Sequence, residues 1–231
     1  MLAERRRWLE SDPGRYALLE PEGEPLLLEF LEMAADWHAI DAAGGAARSL
    51  TVRAAGALFE PDLLFLSPDE TGEFRLRGGA LCFPTGWALE EKIGHSLDFI
   101  HGAVPGLNVA LASPIRQFLE RMKPGVAFLR ENWGLAGTDE FNLHPSRGIP
   151  PPAPPVDLLK TWLRVEHQAL LSLKSGRGVV FGIRVALHRL DGLAGSAAGA
   201  GLRRALASMP PELVTYKRIE GVREAVINRL G

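Results

Sequence analysis

The amino-acid sequence predicts an α+β protein in which one antiparallel sheet packs against flanking helices. Two pairs of strand-like runs predict the sheet. Residues 61–67 and 73–83 are joined by a turn, and residues 161–171 and 179–187 are joined by a short connection that contains glycine. Short connections of this kind join antiparallel neighbours. Helical patterns come before the first strands and after the last ones, which is typical of the α+β class.

The N-terminal region carries the first helix with a buried face. Its apolar residues recur at i, i+3, i+4 and i+7, the spacing of one helical stripe; they are Leu27, Phe30, Leu31 and Ala34. We predict an N-terminal helical arm over residues 1–54 and a main domain with C-terminal helices over residues 55–231.

The middle of the chain alternates short helices with extended pieces. The loop at 84–86 leads into a short helical piece that ends at Gly94. Ser113 is a suitable N-cap and Pro114 suits the first helical position, so we predict that the next helix begins there. Residues 126–133 then form a strand that precedes the sheet's last two strands.

Two further segments are predicted to connect elements. The proline-rich run at 145–155 is typical of a stiff, extended linker. The Gly/Ala run at 192–201 is typical of a flexible connector, because no strand–turn–helix unit surrounds it that would make it a phosphate-binding loop. From Leu202 onward the chain is predicted to be helical, with a break at Pro210 and Pro211.

Composition excludes several classes of protein. The net charge of −2 gives no reason to expect nucleic acid or an anionic membrane surface as a partner. No apolar run approaches the roughly 20 residues of a membrane helix, and the N-terminus lacks the apolar stretch of a signal peptide, so we expect a cytoplasmic protein. The single cysteine, Cys82, cannot alone hold an iron–sulfur cluster or a Cys₄ zinc ion.

Alternation along the strands places polar side chains together. One face of the run at 161–171 carries Trp162, Arg164, Glu166 and Gln168, and one face of the run at 126–133 carries Phe128, Arg130 and Asn132. The sheet is predicted to gather five of its polar side chains on one side: Arg130, Asn132, Arg164, Glu166 and Arg184. This side is either a solvated face of an antiparallel sheet or the floor of a pocket.

The histidines and the cysteine are the candidate metal ligands. His95 and His101 lie in a segment rich in glycine and proline, residues 92–106, whose backbone is fixed by turns. No HExxH or HxxxH spacing is present, which argues against a zinc hydrolase. Cys82 is an alternative thiolate ligand, although a cysteine at an apolar strand end is more often buried and inert.

Four segments resemble one known family, in the same order along the chain. They are LCFPTGWALEEKIGHSLDFIHGAVPG (81–106), LRENW (129–133), WLRVEHQALLSLKSGRGVVFGIR (162–184) and MPPELVTYK (209–217). The family is that of the α subunit of heme-dependent oxidative N-demethylase. The resemblance implies a PAS-like antiparallel sheet with flanking helices that encloses heme b, and O₂-dependent removal of a methyl group from a small methylated amine, giving formaldehyde. It also implies electrons from a redox partner, a reductase with flavin and iron–sulfur subunits, and hence a possible hetero- or homo-oligomer.

The resemblance also implies roles for individual residues. His101 matches the family's Ile-His-x-Pro-Val-Pro histidine and is the implied axial heme ligand, with His95 as the alternative. Glu166 and Arg130 are the implied catalytic residues, and Glu166 would pair with the cationic amine. Residues implied to contact the cofactor are Arg130, Arg164 and Arg184, any of which could hold a heme propionate, together with Asn132 and Trp87.

The chain also departs from the family's pattern. His167 and Ala169 replace an arginine and a threonine, and Val185-Ala186 replaces a Thr-Tyr pair. A missing tyrosine hydroxyl could remove a substrate or heme contact. The alternative function is therefore a PAS-like module that binds or senses heme or a small molecule without demethylase activity.

Overall fold

The protein folds around one six-stranded antiparallel sheet, as seen in a computed structural model that describes residues 1–40 and 49–230. The order across the sheet is β1-β3-β2-β6-β5-β4. The strands are β1 (Ala17–Leu19), β2 (Asp62–Pro68), β3 (Phe74–Ala80), β4 (Ala127–Ala136), β5 (Trp162–Ser172) and β6 (Val179–Arg189). Both predicted strand pairs are confirmed, as is the α+β class; the finer PAS-like description stays a prediction.

Helices flank the sheet on both faces. Their bounds are α1 (Leu2–Ser11), α2 (Pro13–Tyr16), α3 (Glu24–Asp36), α4 (Val52–Gly56), α5 (Leu97–His101), α6 (Leu107–Glu120), α7 (Ala197–Ala207), α8 (Pro211–Tyr216) and α9 (Arg223–Arg229). In the described part of the chain, no helix has the length and apolar character needed to cross a membrane.

Alternation along the strands creates two differently covered faces of the sheet. On the first, the predicted stripe of α3 is buried against Phe65 and Val180, and the C-terminal helices cover Leu135. On the second, which we call the α6 face, Leu119 and Met122 of α6 pack against the β2–β6 end of the sheet. The strands β4 and β5 continue this second face beyond α6, where the polar residues lie.

The N-terminal residues pack on the same sheet. Strand β1 pairs with β3 at the edge of the sheet, and α3 packs on its first face. Helix α1 packs on Cys82 and Phe83, beside the α6 face. Residues 41–48 of the predicted N-terminal arm lie outside the described residues.

Three local predictions are wrong. Helix α6 begins at Leu107, after Gly106 with φ 70°, so Ser113 and Pro114 lie inside it rather than at its start. The expected helical piece before Gly94 is a set of turns, in which both Lys92 and Ile93 donate backbone hydrogen bonds to the Leu89 carbonyl. The second half of the Gly/Ala run is helical, because Ser196 caps α7 by accepting a hydrogen bond from the Gly199 N–H.

Candidate functional site

Polar side chains of β4 and β5 meet on the α6 face around the carboxylate of Glu166. Asn132 lies opposite Glu166 in the strand register, and Arg130 lies opposite Gln168, so all four share one face. The Glu166 carboxylate accepts hydrogen bonds from the Thr85 hydroxyl (2.5 Å to Oε1), the Asn132 amide (3.1 Å to Oε2) and the Gln168 amide (2.7 Å to Oε2). The side chains of Glu166 and Gln168 are buried. This face is therefore buried along β5, whereas Arg130 and Asn132 on the edge strand β4 are exposed.

Each donor to Glu166 is itself oriented by a cation. Arginine and lysine can only donate, so the threonine hydroxyl oxygen and the two amide oxygens accept from them, and the hydroxyl hydrogen and the two NH₂ groups are left to point at Glu166. The three pairs are Arg164 Nε with Thr85 Oγ1 (2.8 Å), Arg130 Nε with Gln168 Oε1 (2.6 Å) and Lys217 Nζ with Asn132 Oδ1 (3.3 Å). The hydrogen-bond network thus fixes the hydroxyl direction and both amide orientations. We call these seven residues the Glu166 cluster.

Arg164 holds the loop that carries Thr85. Besides its bond to Thr85, its guanidinium donates to the carbonyls of Phe83 and Phe141, both at 2.8 Å. Burial lowers the pKa of Arg164 to about 10, so the side chain remains a cation at neutral pH. With the residue 2% exposed, its contacts are to protein groups, and the predicted role in holding a heme propionate does not match this placement.

A buried ion pair also holds the loop that carries Thr85. Arg5 of α1 donates to Asp62 of β2 at 2.8 Å, and both side chains are fully buried. The Asp62 carboxylate also accepts the backbone N–H groups of Cys82 and Phe83 at 2.7 and 3.2 Å. Cys82 is fully buried in the apolar cluster beneath α1, and burial raises the pKa of its thiol to about 12, which favours the buried, inert cysteine over a thiolate ligand.

Lys217 comes to the cluster from the end of α8. Its ammonium donates to the Trp133 carbonyl at 2.6 Å as well as to Asn132. Burial lowers the pKa of Lys217, and the nearby charge of Glu166 partly offsets this effect. The pKa of the neighbouring Tyr216 is raised by burial and by the Glu166 charge. The C-terminal helices therefore close one side of the cluster.

His101 lies at another side of the cluster, within electrostatic reach of Arg130. Burial lowers the pKa of His101, and the positive charge of Arg130 lowers it further, so the neutral imidazole is favoured. Among the described residues, none forms a hydrogen bond with this imidazole. A neutral imidazole with unoccupied ring nitrogens is the form that binds a metal ion.

The other candidate histidine and arginine lie elsewhere. The ring of His95 is exposed and stacks on Phe99, with ring centroids 4.0 Å apart. Arg184 lies opposite His167 and therefore on the other face of the sheet, where it pairs with Glu60 at 2.8 Å. The prediction that Arg184 joins the other four polar residues is wrong, because the β5–β6 register places its side chain on the opposite face of the sheet.

Aromatic side chains border the cluster beside Arg130. The rings of Phe118 and Phe128 meet edge to face with centroids 4.9 Å apart, and both side chains are exposed. The Arg130 guanidinium lies 6.0 Å from the centroid of the Phe181 ring. Trp87, one of the predicted cofactor contacts, packs against the same apolar cluster as α6. The border therefore offers apolar surface next to a guanidinium and an imidazole.

Comparison with protein families places this geometry in context. A family described as "Haem-dependent oxidative N-demethylase, alpha subunit-like" matches residues 38–227. The chain belongs to this family. The match includes the Thr85 loop, both strands that carry the Glu166 cluster, and Lys217.

Membership of this N-demethylase-like family implies heme, and the residues present fit that group. A heme iron needs an axial side chain, and the imidazole of His101 is of the kind that would supply it. Arg130 would be the partner for a propionate, and the exposed rings of Phe118 and Phe128 would offer apolar surface to the macrocycle. Among the described residues, no group of three or more His, Cys, Asp and Glu side chains could hold a bare metal ion.

Three members of the Glu166 cluster were not predicted from the sequence. Thr85 and Lys217 both lie in segments that resemble the N-demethylase family, but no role could be attached to them there. Gln168 was placed on the same face as Glu166 by alternation, and its amide could have been expected to contact that carboxylate.

Proposed function

We propose that this chain is the heme-binding subunit of an oxidative N-demethylase. We propose that its active site is the part of the α6 face formed by β4 and β5, which helix α6 does not cover. The observation that carries the proposal is that His101, half-buried and favoured as the neutral imidazole, lies within electrostatic reach of Arg130, whose side chain shares a sheet face with the Glu166 carboxylate. These groups offer an iron ligand, a propionate partner and an anion for a substrate cation.

His101 is the proposed axial ligand, and Arg130 the proposed partner of a heme propionate. Among the contacts within the described chain, the Arg130 guanidinium uses only Nε in a hydrogen bond, so its two terminal nitrogens remain for a carboxylate. When bound, heme b supplies reductive activation of O₂ for oxidation of a methyl C–H bond. We propose that the electrons come from a separate reductase subunit with flavin and iron–sulfur groups.

Glu166 is the proposed partner of the substrate. A small methylated amine is an ammonium ion at neutral pH, and Glu166 is the one anion among the seven residues of the cluster. The three donors that surround Glu166 hold its carboxylate in one orientation. Oxidation of the N-methyl group would give a carbinolamine, which releases formaldehyde and the demethylated amine. One O₂, two electrons and two protons are consumed, and one water is formed.

A single-turnover experiment tests this function. The full chain is loaded with hemin and mixed with dimethylammonium and one equivalent of hydrogen peroxide, which supplies the oxygen together with both electrons and both protons, and formaldehyde is measured. We expect formaldehyde from the wild type, and at least about 100-fold less from Glu166→Gln, because substrate loses its charged partner in a site where three cations remain.

The matched control is Glu131→Gln, which removes an exposed carboxylate from the neighbouring strand that pairs with His167 at 3.0 Å on the other face. It should yield as much formaldehyde as the wild type. Hemin binding with no amine-dependent formaldehyde in the wild type would refute the demethylase function and favour the alternative, a PAS-like heme or small-molecule sensor.

A further inference from the structure

The two edge strands of the sheet are protected to different degrees. Strand β1 at one edge has three residues, whereas β4 at the other has ten. Strand β4 contains no proline, and its register with β5 runs from Ala127 to Ala136 without a bulge. A long, regular edge strand presents N–H and C=O groups to which a further strand can bond, and short strands, prolines and bulges are the usual protections against such pairing.

The backbone groups of β4 alternate in direction from residue to residue. The Ser172 N–H donates to the carbonyl of Val126, just before β4, at 3.0 Å, so the even-numbered residues of the strand direct their N–H and C=O groups to β5. The odd-numbered residues direct theirs to the edge. The Trp133 carbonyl is one of these edge groups, and Lys217 Nζ donates to it at 2.6 Å.

The open part of this edge is the segment 127–131, which we call the β4 edge. Lys217 covers the next edge position, at Trp133. Among the described residues, none forms a hydrogen bond with the edge-directed backbone groups of the segment. Every residue of the β4 edge is exposed, and Leu129 at its centre is 82% exposed. An apolar side chain this exposed in the middle of an open edge indicates a contact surface.

The β4 edge is self-complementary. When a second copy lies antiparallel beside it, about a two-fold axis perpendicular to the sheet at Leu129, all six edge-directed groups of each copy find partners. On the α6 face, Arg130 then lies opposite the partner's Phe128, a cation beside an aromatic ring. On the other face, the two Leu129 side chains meet. Moving the axis by one residue either sets the two Arg130 side chains opposite each other or leaves the backbone groups of Glu131 beyond the end of the partner's β4.

We propose that the protein forms a two-fold symmetric dimer through the β4 edge, which joins the two sheets into one, and that the partner's Phe128 completes the surroundings of Arg130. This arginine orients Gln168 in the Glu166 cluster and lies 6.0 Å from the centroid of the Phe181 ring. The partner's ring would exclude water from its other side. A second copy is favoured over an unrelated strand because the apolar, aromatic and backbone contacts all repeat about one axis. The dimer does not depend on the heme function.

The test is sedimentation equilibrium of the purified full chain over a range of protein concentrations. We expect a monomer–dimer equilibrium in the wild type. Leu129→Lys should weaken the association at least about 100-fold, because two ammonium groups then lie opposite each other at the axis and the apolar contact is lost. Since this side chain is 82% exposed, the variant should fold like the wild type, as circular dichroism would show.

The matched control is Leu58→Lys. It places the same charge at an exposed leucine that follows α4, which lies against β3 and β1 toward the opposite edge of the sheet. The association constant of this variant should equal that of the wild type.

Cysteine cross-linking tests the register. Hydrogen-bonded antiparallel partners have Cα atoms about 5.5 Å apart, within the range of a disulfide, so Leu129→Cys should give a covalent dimer on mild oxidation. Glu131→Cys should not, because its two copies would lie about 14 Å apart along the strands. The native Cys82 is buried and present in both variants. A monomeric wild type, which would leave the edge to a different protein, a dimer that survives Leu129→Lys, or cross-linking of Glu131→Cys in preference to Leu129→Cys would overturn the proposal.

Discussion

Replacing Arg5 with alanine lowers the free energy of unfolding by about 3–5 kcal/mol, because the change leaves the Asp62 carboxylate buried without a counter-charge. Both side chains of the pair are fully buried. The loss should also loosen the loop at 82–85, since Asp62 accepts the N–H groups of Cys82 and Phe83. Urea unfolding followed by circular dichroism measures the effect.

Arg184→Ala is the matched control for Arg5→Ala. It removes an arginine that pairs with Glu60 at the same 2.8 Å, but with both side chains about half exposed, so the cost should be about 0–1 kcal/mol. The double variant Arg5→Met with Asp62→Leu removes both charges, but it leaves the N–H groups of Cys82 and Phe83 without their acceptor, so it should recover only part of the stability lost in Arg5→Ala. Equal stabilities of Arg5→Ala and Arg184→Ala would contradict the structural role of the pair.

Replacing His101 with alanine should weaken hemin binding by more than about 100-fold. Removing a residue that only supports a metal ligand costs at most roughly 100-fold, and His101 is proposed to be the ligand itself. The proposed axial bond is lost, while the apolar border and Arg130 remain. A hemin titration followed at the Soret band measures the affinity, and imidazole added to the variant should restore the spectrum of a ligated iron. His95→Ala, which removes an exposed ring stacked on Phe99, should bind hemin like the wild type.

The pH dependence of the same titration checks the role of His101 independently. Iron binds the neutral imidazole, so protonation competes with hemin. Because burial and Arg130 set the pKa of His101 below its ordinary value of 6.5, the wild-type affinity should begin to decline at a lower pH than it would for a histidine with the ordinary pKa. In His101→Ala the residual affinity should lack this decline. Weakening that begins well above pH 6.5 would point to another group.

The strands were predictable because their signals are local. Alternating side chains and short turns identify β2, β3, β5 and β6 within a few residues of their bounds. The start of α6 was not predictable from the sequence, because Ser113 followed by Pro114 is a valid helix start signal that also fits inside a helix. A proline there leaves the Ala110 carbonyl without its helical donor, a cost that a partly exposed helix can bear since water can take the donor's place.

The site was predictable only in part, for a related reason. Alternation fixes which residues share a face within one strand, but the phase between strands depends on register. Ser172 pairs with Val179, so even-numbered residues of β5 share a face with odd-numbered residues of β6, and Arg184 is excluded from the face of Glu166. Lys217 reaches the cluster from a distant helix, a contact that no periodicity along the sequence specifies.

The most direct test of a shared heme and amine site is the absorption spectrum of the hemin-loaded chain during titration with dimethylammonium chloride. We predict a saturable change of the Soret band in the wild type and in Glu131→Gln, and no such change in Glu166→Gln, because the amine is held next to the heme by that carboxylate. An equal response in all three proteins, or hemin binding without any response to the amine, would contradict the account.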